Sequence, residues 1–212
     1  MPIRPEFGQV LWMFLHSMAY IIEKKVAVLD HDDGGKKNRK DVYFRIEKSL
    51  VMLLPCSKCR SHYFTHIKRK DYNDIPNCDI LAKLNFLHNT VNSLLNKQIY
   101  SLVESEEKSL SFIKSFPEFK NNFFKIILTL TKYWNKTSWY KKVNLHLRQE
   151  LLNLVSLSLE LIFDNYSNNF NEEIFSNYSS VYQTFTKYYD LDSEVIEDGF
   201  SYRTDGCECL NK

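Results

Sequence analysis

Two cysteines separated by two residues form the most chemically informative motif of this chain. Cys56 and Cys59 follow Pro55 at the end of an apolar stripe. Proline suits the first turn of a helix, so we predict that a new helix begins at Cys56. The helix dipole lowers a thiol pKa at that position, and the neighbouring Lys58 and Arg60 act in the same direction. The pair is therefore predicted to be a dithiol that closes into a disulfide and reopens easily.

A zinc site and a structural pair are the alternative roles for these cysteines. His62 and His66 follow on the same predicted helix, but Cys56 and His66 would then lie about 15 Å apart along its axis. Zinc ligands lie about 2.0 to 2.3 Å from the ion, so this helix alone cannot complete a site. We predict no metal site, although a zinc clip that uses the C-terminal cysteines and an inert buried pair both stay open.

Polar and aromatic side chains recur at four-residue spacing on two otherwise apolar segments. Trp12 and His16 form one pair, and His88 and Asn92 form the other. Residues four apart share a helix face. Either pair alone is more typical of a packed core. Together with the cysteine motif, the two pairs indicate a site for a flat, polar-edged ring such as the isoalloxazine of a flavin.

The composition indicates a helical protein with a substantial core. The chain has 212 residues, of which 44% are hydrophobic, and only five glycines and five prolines. Lys and Arg (28) nearly balance Asp and Glu (26), and this net charge of +2 does not favour nucleic acid as a partner. The N-terminus lacks the pattern of a signal peptide, and no apolar run reaches the roughly 18 residues of a membrane span. We predict an all-α, cytoplasmic protein without a membrane span.

Apolar periodicity predicts four helices in about the first hundred residues, enough for a small bundle. They cover residues 7–25 and 42–54, a segment that begins at Cys56, and residues 81–95. Residues 31–40 are predicted to be a charged loop, 68–77 a polar linker, 105–163 two or three more amphipathic helices, and 164–192 shorter helical pieces. The predicted domains are a bundle over 1–104, a helical extension of unknown role over 105–195 and a flexible tail over 196–212.

Three segments resemble, in order and spacing, the Erv/ALR family of FAD-linked sulfhydryl oxidases. They are the stretches 8–19, 54–63 and 86–97. The form Leu-Pro-Cys-x-x-Cys-Arg-x-His is closest to versions from large DNA viruses. The resemblance covers roughly residues 5–100. It implies a four-helix bundle with FAD at its mouth, usually dimeric, to which this chain adds a C-terminal helical region.

The same resemblance assigns roles to individual residues. Cys56 would exchange disulfides with the substrate, and Cys59 would lie against the flavin ring. The residues that it places around FAD are Gly8, Trp12, His16, Tyr20, Cys59, His88, Asn89, Val91, Asn92, Leu95 and Lys97. This chain departs from the family in two ways. Cys78 has no partner for the family's second disulfide, and only Tyr100 is a candidate to cover the adenine.

The activity that the resemblance implies is thiol oxidation. Electrons would pass from a dithiol protein through Cys56 and Cys59 to FAD and then to O2, giving H2O2. Cys207 and Cys209, on a pliable tail, fit a shuttle because a disulfide in so small a ring is strained and oxidising; incidental free thiols are the alternative. The expected partners are viral thioredoxin-like or structural proteins and a second copy of the chain, in the host cytoplasm or the virion. The competing hypothesis is a non-enzymatic helical interaction module with a structural or zinc-binding CxxC.

Overall fold

The computed structural model describes residues 5–25, 33–54, 57–77, 79–136, 140–163, 171 and 173–189. Within these ranges the chain is helical and has no strand, which confirms the predicted all-α class. Cys56, Cys78, Cys207 and Cys209 lie outside the described residues, as does the predicted tail over 196–212. No helix in the described part of the chain combines the length and the apolar character that a bilayer crossing needs.

Nine α-helices succeed one another within the described ranges. They are α1 Pro5–Tyr20, α2 Asp33–Leu53, α3 Ser57–His66, α4 Lys70–Asn73, α5 Ile80–Leu94, α6 Leu102–Lys114, α7 Phe116–Lys136, α8 Tyr140–Phe163 and α9 Tyr178–Tyr189. A π-helical turn, Ile21–Lys25, extends α1, and a 3₁₀ turn, Ile174–Ser176, precedes α9. The predicted helices over 7–25 and 81–95 correspond to α1 with its π turn and to α5. The predicted region 105–163 contains most of α6 and all of α7 and α8.

The predicted charged loop over residues 31–40 is wrong for most of its length, because α2 begins at Asp33. The later turns of α2 are fixed by buried Tyr43, Ile46 and Leu50. Such a helix can extend toward its N-terminus, because each residue that becomes ordered adds one backbone hydrogen bond. Lys and Arg, frequent in this segment, are favourable helix formers, so its polar composition does not oppose the helix. The predicted linker over 68–77 likewise contains the short helix α4.

Helices α1, α2, α3, α5 and α6 surround one apolar interior. Helix α1 packs against α5 and α6, while α2 contacts α3. Glu23, on the π turn, accepts a hydrogen bond from the Leu81 N–H at 3.0 Å and so satisfies a free donor at the start of α5. Lys24 pairs with Glu106 at 3.6 Å, which ties the same turn to α6. These contacts fix the positions of α5 and α6 relative to α1.

The C-terminal helices extend the same core. Helix α8 packs along α2, α7 packs on α1, and α9 packs on α7. The Ser49 hydroxyl donates to the Glu150 carboxylate at 2.5 Å and joins α2 to α8. One apolar cluster runs from α1 and α2 through to α9. The predicted division at residue 104 stays a prediction, and its boundary falls within α6.

Candidate functional site

A cavity of about 750 Å³ opens between α1, α2, α3, α5 and α6. It brings together segments that are up to 104 residues apart in the sequence, from Gly8 to Phe112. The predicted site residues that line it are Gly8, Trp12, His16, Cys59, His88, Val91, Asn92, Leu95 and Lys97. Three sequence motifs therefore meet in one place, although each comes from a different helix.

Trp12, His16 and His88 form the aromatic wall of this cavity. The Trp12 and His88 rings are stacked, with centroids 4.2 Å apart and planes inclined by 6°. A hydrogen bond of 3.0 Å joins His16 Nε2 to His88 Nδ1. Burial, together with the nearby charge of Lys108, lowers the pKa of His16 to about 3 and that of His88 to about 4. Both imidazoles are therefore neutral at neutral pH.

Several buried ring nitrogens at the cavity have no hydrogen-bond partner among the described residues. They are Nδ1 of His16 and both ring nitrogens of His66. An unpaired polar atom that is shielded from water costs free energy comparable to a lost hydrogen bond. Such atoms on a cavity wall are available to a polar ligand.

Cys59 is the cysteine that the structure places at the cavity. It is disulfide-bonded, partly buried against the core and part of the cavity lining. The Arg60 guanidinium donates to the Leu54 carbonyl and so ties α3 to the end of α2. The predicted pairing of Cys59 with Cys56 stays a prediction.

Two asparagines of α5 hold the loop that leads to α6. The Asn89 side chain donates to the Tyr100 carbonyl at 2.7 Å and accepts from the Tyr100 N–H at 3.0 Å. Asn92 donates to the Gln98 carbonyl at 3.0 Å. Asn89 is not among the described residues that line the cavity. Its amide fixes the loop that places Lys97 and Tyr100 at the cavity, and its predicted contact with the cofactor stays a prediction.

Tyr20 also lies outside the described lining of the cavity. It is partly buried against the apolar core at the end of α1. A helix rises about 1.5 Å per residue, so Tyr20 lies about 6 Å beyond His16 along the axis even though both share a face. The four-residue spacing identified the correct face of α1 but could not give the extent of the cavity along it.

Sequence reasoning gave no role to several residues that line the cavity. The described ones with ionisable or aromatic side chains are Glu47, His62, Tyr63, His66, Lys108 and Phe112. Glu47 carried a detectable signal, because it is an acidic residue one turn after Tyr43 on the buried face of α2. The start of α6 was also detectable, since Ser101 and Glu104 form a capping box. Among the described residues, no three His, Cys, Asp or Glu side chains converge as metal ligands would.

Comparison with known proteins agrees with this arrangement. The sequence profile of the Erv1 / Alr family matches residues 9–117. The chain is 30% identical over 94 residues to a protein of Frog virus 3 (isolate Goorha) named "Putative FAD-linked sulfhydryl oxidase 088R". That alignment covers 43% of this chain and 57% of the viral relative, so the chain spans little more than half of that protein's length. No solved structure matches the chain.

The relative comes from a large DNA virus, which agrees with the viral form of the cysteine motif. The profile match covers more than half of the 212 residues and includes nearly all of the residues that line the cavity. The chain therefore belongs to the Erv1/Alr family.

Proposed function

We propose that this protein is an FAD-dependent thiol oxidase that forms disulfide bonds in dithiol proteins. One observation carries the proposal: the disulfide-bonded Cys59 shares a cavity with the stacked rings of Trp12 and His88. A redox-active sulfur beside an aromatic wall is the arrangement that electron transfer from a dithiol to a flat cofactor requires.

The cavity suits FAD in size and chemistry. A volume of about 750 Å³ is in the range of cofactor sites, which are mostly apolar with a few polar groups. Apolar side chains such as Leu50, Leu84 and Leu87 line much of it. The unpaired Nδ1 of His16 could hydrogen-bond a polar ring edge. Lys97 and Lys108 bring positive charge to the neighbourhood of His88, where phosphate groups would be attracted.

The proposed reaction begins with thiol–disulfide exchange. A substrate thiolate attacks Cys56 of the Cys56–Cys59 disulfide, and Cys59 is displaced as a thiolate that equilibrates with its thiol. A second substrate thiolate then displaces Cys56, so the substrate leaves with a disulfide. Bound FAD would supply the two-electron acceptor and the route to O2. The net reaction converts one dithiol and one O2 to one disulfide and one H2O2.

The remaining parts of the proposal come from the sequence: the shuttle from the spacing of its two cysteines, and the other parts from the family resemblance. Cys207 and Cys209 would relay electrons from protein substrates to Cys56. The substrates would be thioredoxin-like or structural proteins of a virus, and the enzyme would be a homodimer in the host cytoplasm or the virion. Each of these stays a prediction.

Absorption spectroscopy of the purified full-length chain tests the proposal directly. We expect a flavin spectrum with about one FAD per chain, and oxygen consumption on addition of a small dithiol. A colourless protein that takes up no added FAD would contradict the proposal and would favour the helical interaction module. Protein that binds FAD but consumes no oxygen with any dithiol would contradict the oxidase activity alone.

A further inference from the structure

A cluster of buried polar side chains lies beside the cavity and has no role in the reaction described above. Glu47 of α2 is 4% exposed and lines the cavity. The groups that face it are Tyr43 on its own helix, Tyr63 on α3, Tyr72 on α4 and Lys83 on α5. Tyr43, Tyr72 and Lys83 are also almost completely buried.

The Tyr63 hydroxyl is the hydrogen-bond donor to Glu47. The Lys83 Nζ lies 4.3 Å from the centre of the Tyr72 ring and donates to the Tyr72 carbonyl at 3.3 Å, and its charge also acts on Glu47. The Tyr43 hydroxyl has no partner among the described residues. Among the described residues, Tyr63 is therefore the hydrogen-bonded neighbour of the Glu47 carboxyl that also reaches the cavity.

Glu47 can change its protonation state near neutral pH. Burial raises its pKa to about 7, although the Tyr63 hydrogen bond and the charge of Lys83 act in the opposite direction. Burial also raises the pKa of Tyr43, Tyr63 and Tyr72, so these phenols stay neutral. A carboxyl whose pKa lies near 7 can both accept and release a proton at neutral pH.

Tyr63 connects Glu47 to the redox sulfur. Cys59 and Tyr63 are four residues apart on α3, so their side chains are neighbours on one face of the helix. Both line the cavity, as does Glu47. A proton could therefore pass from Cys59 to Glu47 along the cavity wall, through a single hydroxyl group.

We propose that Glu47 accepts, through the Tyr63 hydroxyl, the proton that the Cys59 thiol loses in the reduced enzyme. The S–H bond of Cys59 breaks, an O–H bond forms on Glu47, and the negative charge moves from the carboxylate to the thiolate. Tyr63 gives its own proton to Glu47 and receives the proton of Cys59, so it is unchanged at the end. The later transfer of the thiolate's electrons belongs to the proposed oxidase function, on which this inference rests.

The pH dependence of Cys59 alkylation in the reduced full-length protein tests the coupling. Iodoacetamide labelling would be followed by mass spectrometry from about pH 5 to about pH 9. In the unmodified protein we expect the rate at Cys59 to rise in two steps, because ionised Glu47 disfavours a second negative charge nearby. In Glu47→Gln we expect one step, displaced to lower pH by about one unit. Superimposable profiles would overturn the proposal.

Tyr63→Phe provides a second variant. Loss of the hydroxyl removes a hydrogen bond that stabilises the carboxylate, so the step that belongs to Glu47 should move to higher pH by about one unit. An unmoved step would overturn the role of Tyr63. Glu150→Gln is the matched control: it removes a hydrogen-bonded carboxylate at the α2–α8 contact, away from the cavity lining, and should leave the Cys59 profile unchanged.

Infrared difference spectra of the oxidised and reduced protein supply an independent measurement. When the Cys59 thiolate forms, the carbonyl band of a protonated carboxyl should appear in the unmodified protein and in Glu150→Gln, but not in Glu47→Gln. An identical band in all three proteins would assign the proton to another group and overturn the proposal. Neither measurement depends on FAD or turnover, so failure of the oxidase function would be recognised separately, from the spectrum and the oxygen consumption.

Discussion

The side chains buried around the cavity differ in kind from those buried among α7, α8 and α9. Among the described residues, the buried ionisable groups other than tyrosines are His16, Glu47 and Lys83, which belong to α1, α2 and α5. In α7, α8 and α9, the buried polar groups that the structure describes are the small hydroxyls of Thr129, Thr131 and Ser158. The first region contains groups that can exchange protons, whereas the second is almost entirely apolar.

This difference indicates how the two regions depend on each other. Burying an ionisable group costs free energy unless it is paired, so the cavity wall lowers the stability of the fold. Apolar burial in the C-terminal helices contributes about 25 cal/mol per Å² and does not require such groups. Because α8 packs along α2, the helix that carries Glu47 is held on its other side by this apolar region. We expect the C-terminal core to determine stability and the cavity to determine chemistry.

The largest expected effect is on chemistry alone. Cys56→Ser should reduce oxygen consumption with any dithiol to under about a thousandth, since no disulfide remains for exchange, while the flavin spectrum is retained. Cys78→Ser is the control and should keep its activity. Oxygen-electrode assays and absorption spectra of both variants measure this. Turnover that survives in Cys56→Ser would remove the assigned role of this cysteine.

A core substitution should affect stability instead. Phe124 is fully buried, and its ring centre lies 5.1 Å from that of Phe123 and 4.6 Å from that of Phe185. Phe124→Ala should lower the free energy of unfolding by about 3 to 4 kcal/mol, measured by urea denaturation. Val103→Ala, at a position 65% exposed, should change it by less than about 0.5 kcal/mol. If Phe124→Ala were as stable as the control, the C-terminal core would not be the source of stability.

The pH dependence of stability should originate in the cavity region. Burial lowers the pKa of His16 from 6.5 to about 3 and that of His88 to about 4, so the unfolded chain binds protons below pH 6.5 while the folded protein does not. Stability from these histidines is present above pH 6.5 and is lost as the pH falls toward 4. Glu47 acts in the opposite direction, because its pKa rises from 4.5 to about 7 and its protonated form stabilises the fold at low pH.

The effect of the two histidines is larger than that of the one carboxyl. The free energy of unfolding should therefore fall by about 2 kcal/mol between pH 6.5 and pH 4.5. Urea denaturation at the two pH values measures it. Glu47→Gln should make this decrease in the free energy of unfolding larger, and His16→Gln should make it smaller. Greater stability at the lower pH in the unmodified protein would contradict the neutral state of the buried imidazoles.

The smallest effect concerns affinity for the proposed cofactor. Trp12→Ala removes a stacked ring and should weaken FAD binding about tenfold, which corresponds to about 1.4 kcal/mol. Tyr20→Phe should leave the affinity unchanged, since Tyr20 is not among the described residues of the cavity lining. Fluorescence titration of FAD measures both. Equal losses would place Tyr20 in the site after all, as the family resemblance first implied.

The amino-acid sequence by itself determined the helical class and the positions of α1 and α5. It also identified Trp12, Cys59 and His88 as candidate site residues. These properties depend on local periodicity and on short motifs, and both can be recognised from the spacing of side chains along a single helix. The same local rules explain why the start of α2 was misjudged. The polar segment before its apolar stripe has no apolar periodicity in the sequence, and its helical state follows from the turns after it.

Tertiary structure alone decided what those side chains meet. The Asn89 amide is turned to the Tyr100 backbone, Tyr20 lies beyond the cavity, and Glu47 meets Tyr63 from another helix. Each outcome depends on the position of one helix relative to another, which is set by packing between residues far apart in the chain. Periodicity gives the face that a residue occupies, but the packing of neighbouring helices determines whether that face borders a core, a loop or a cavity.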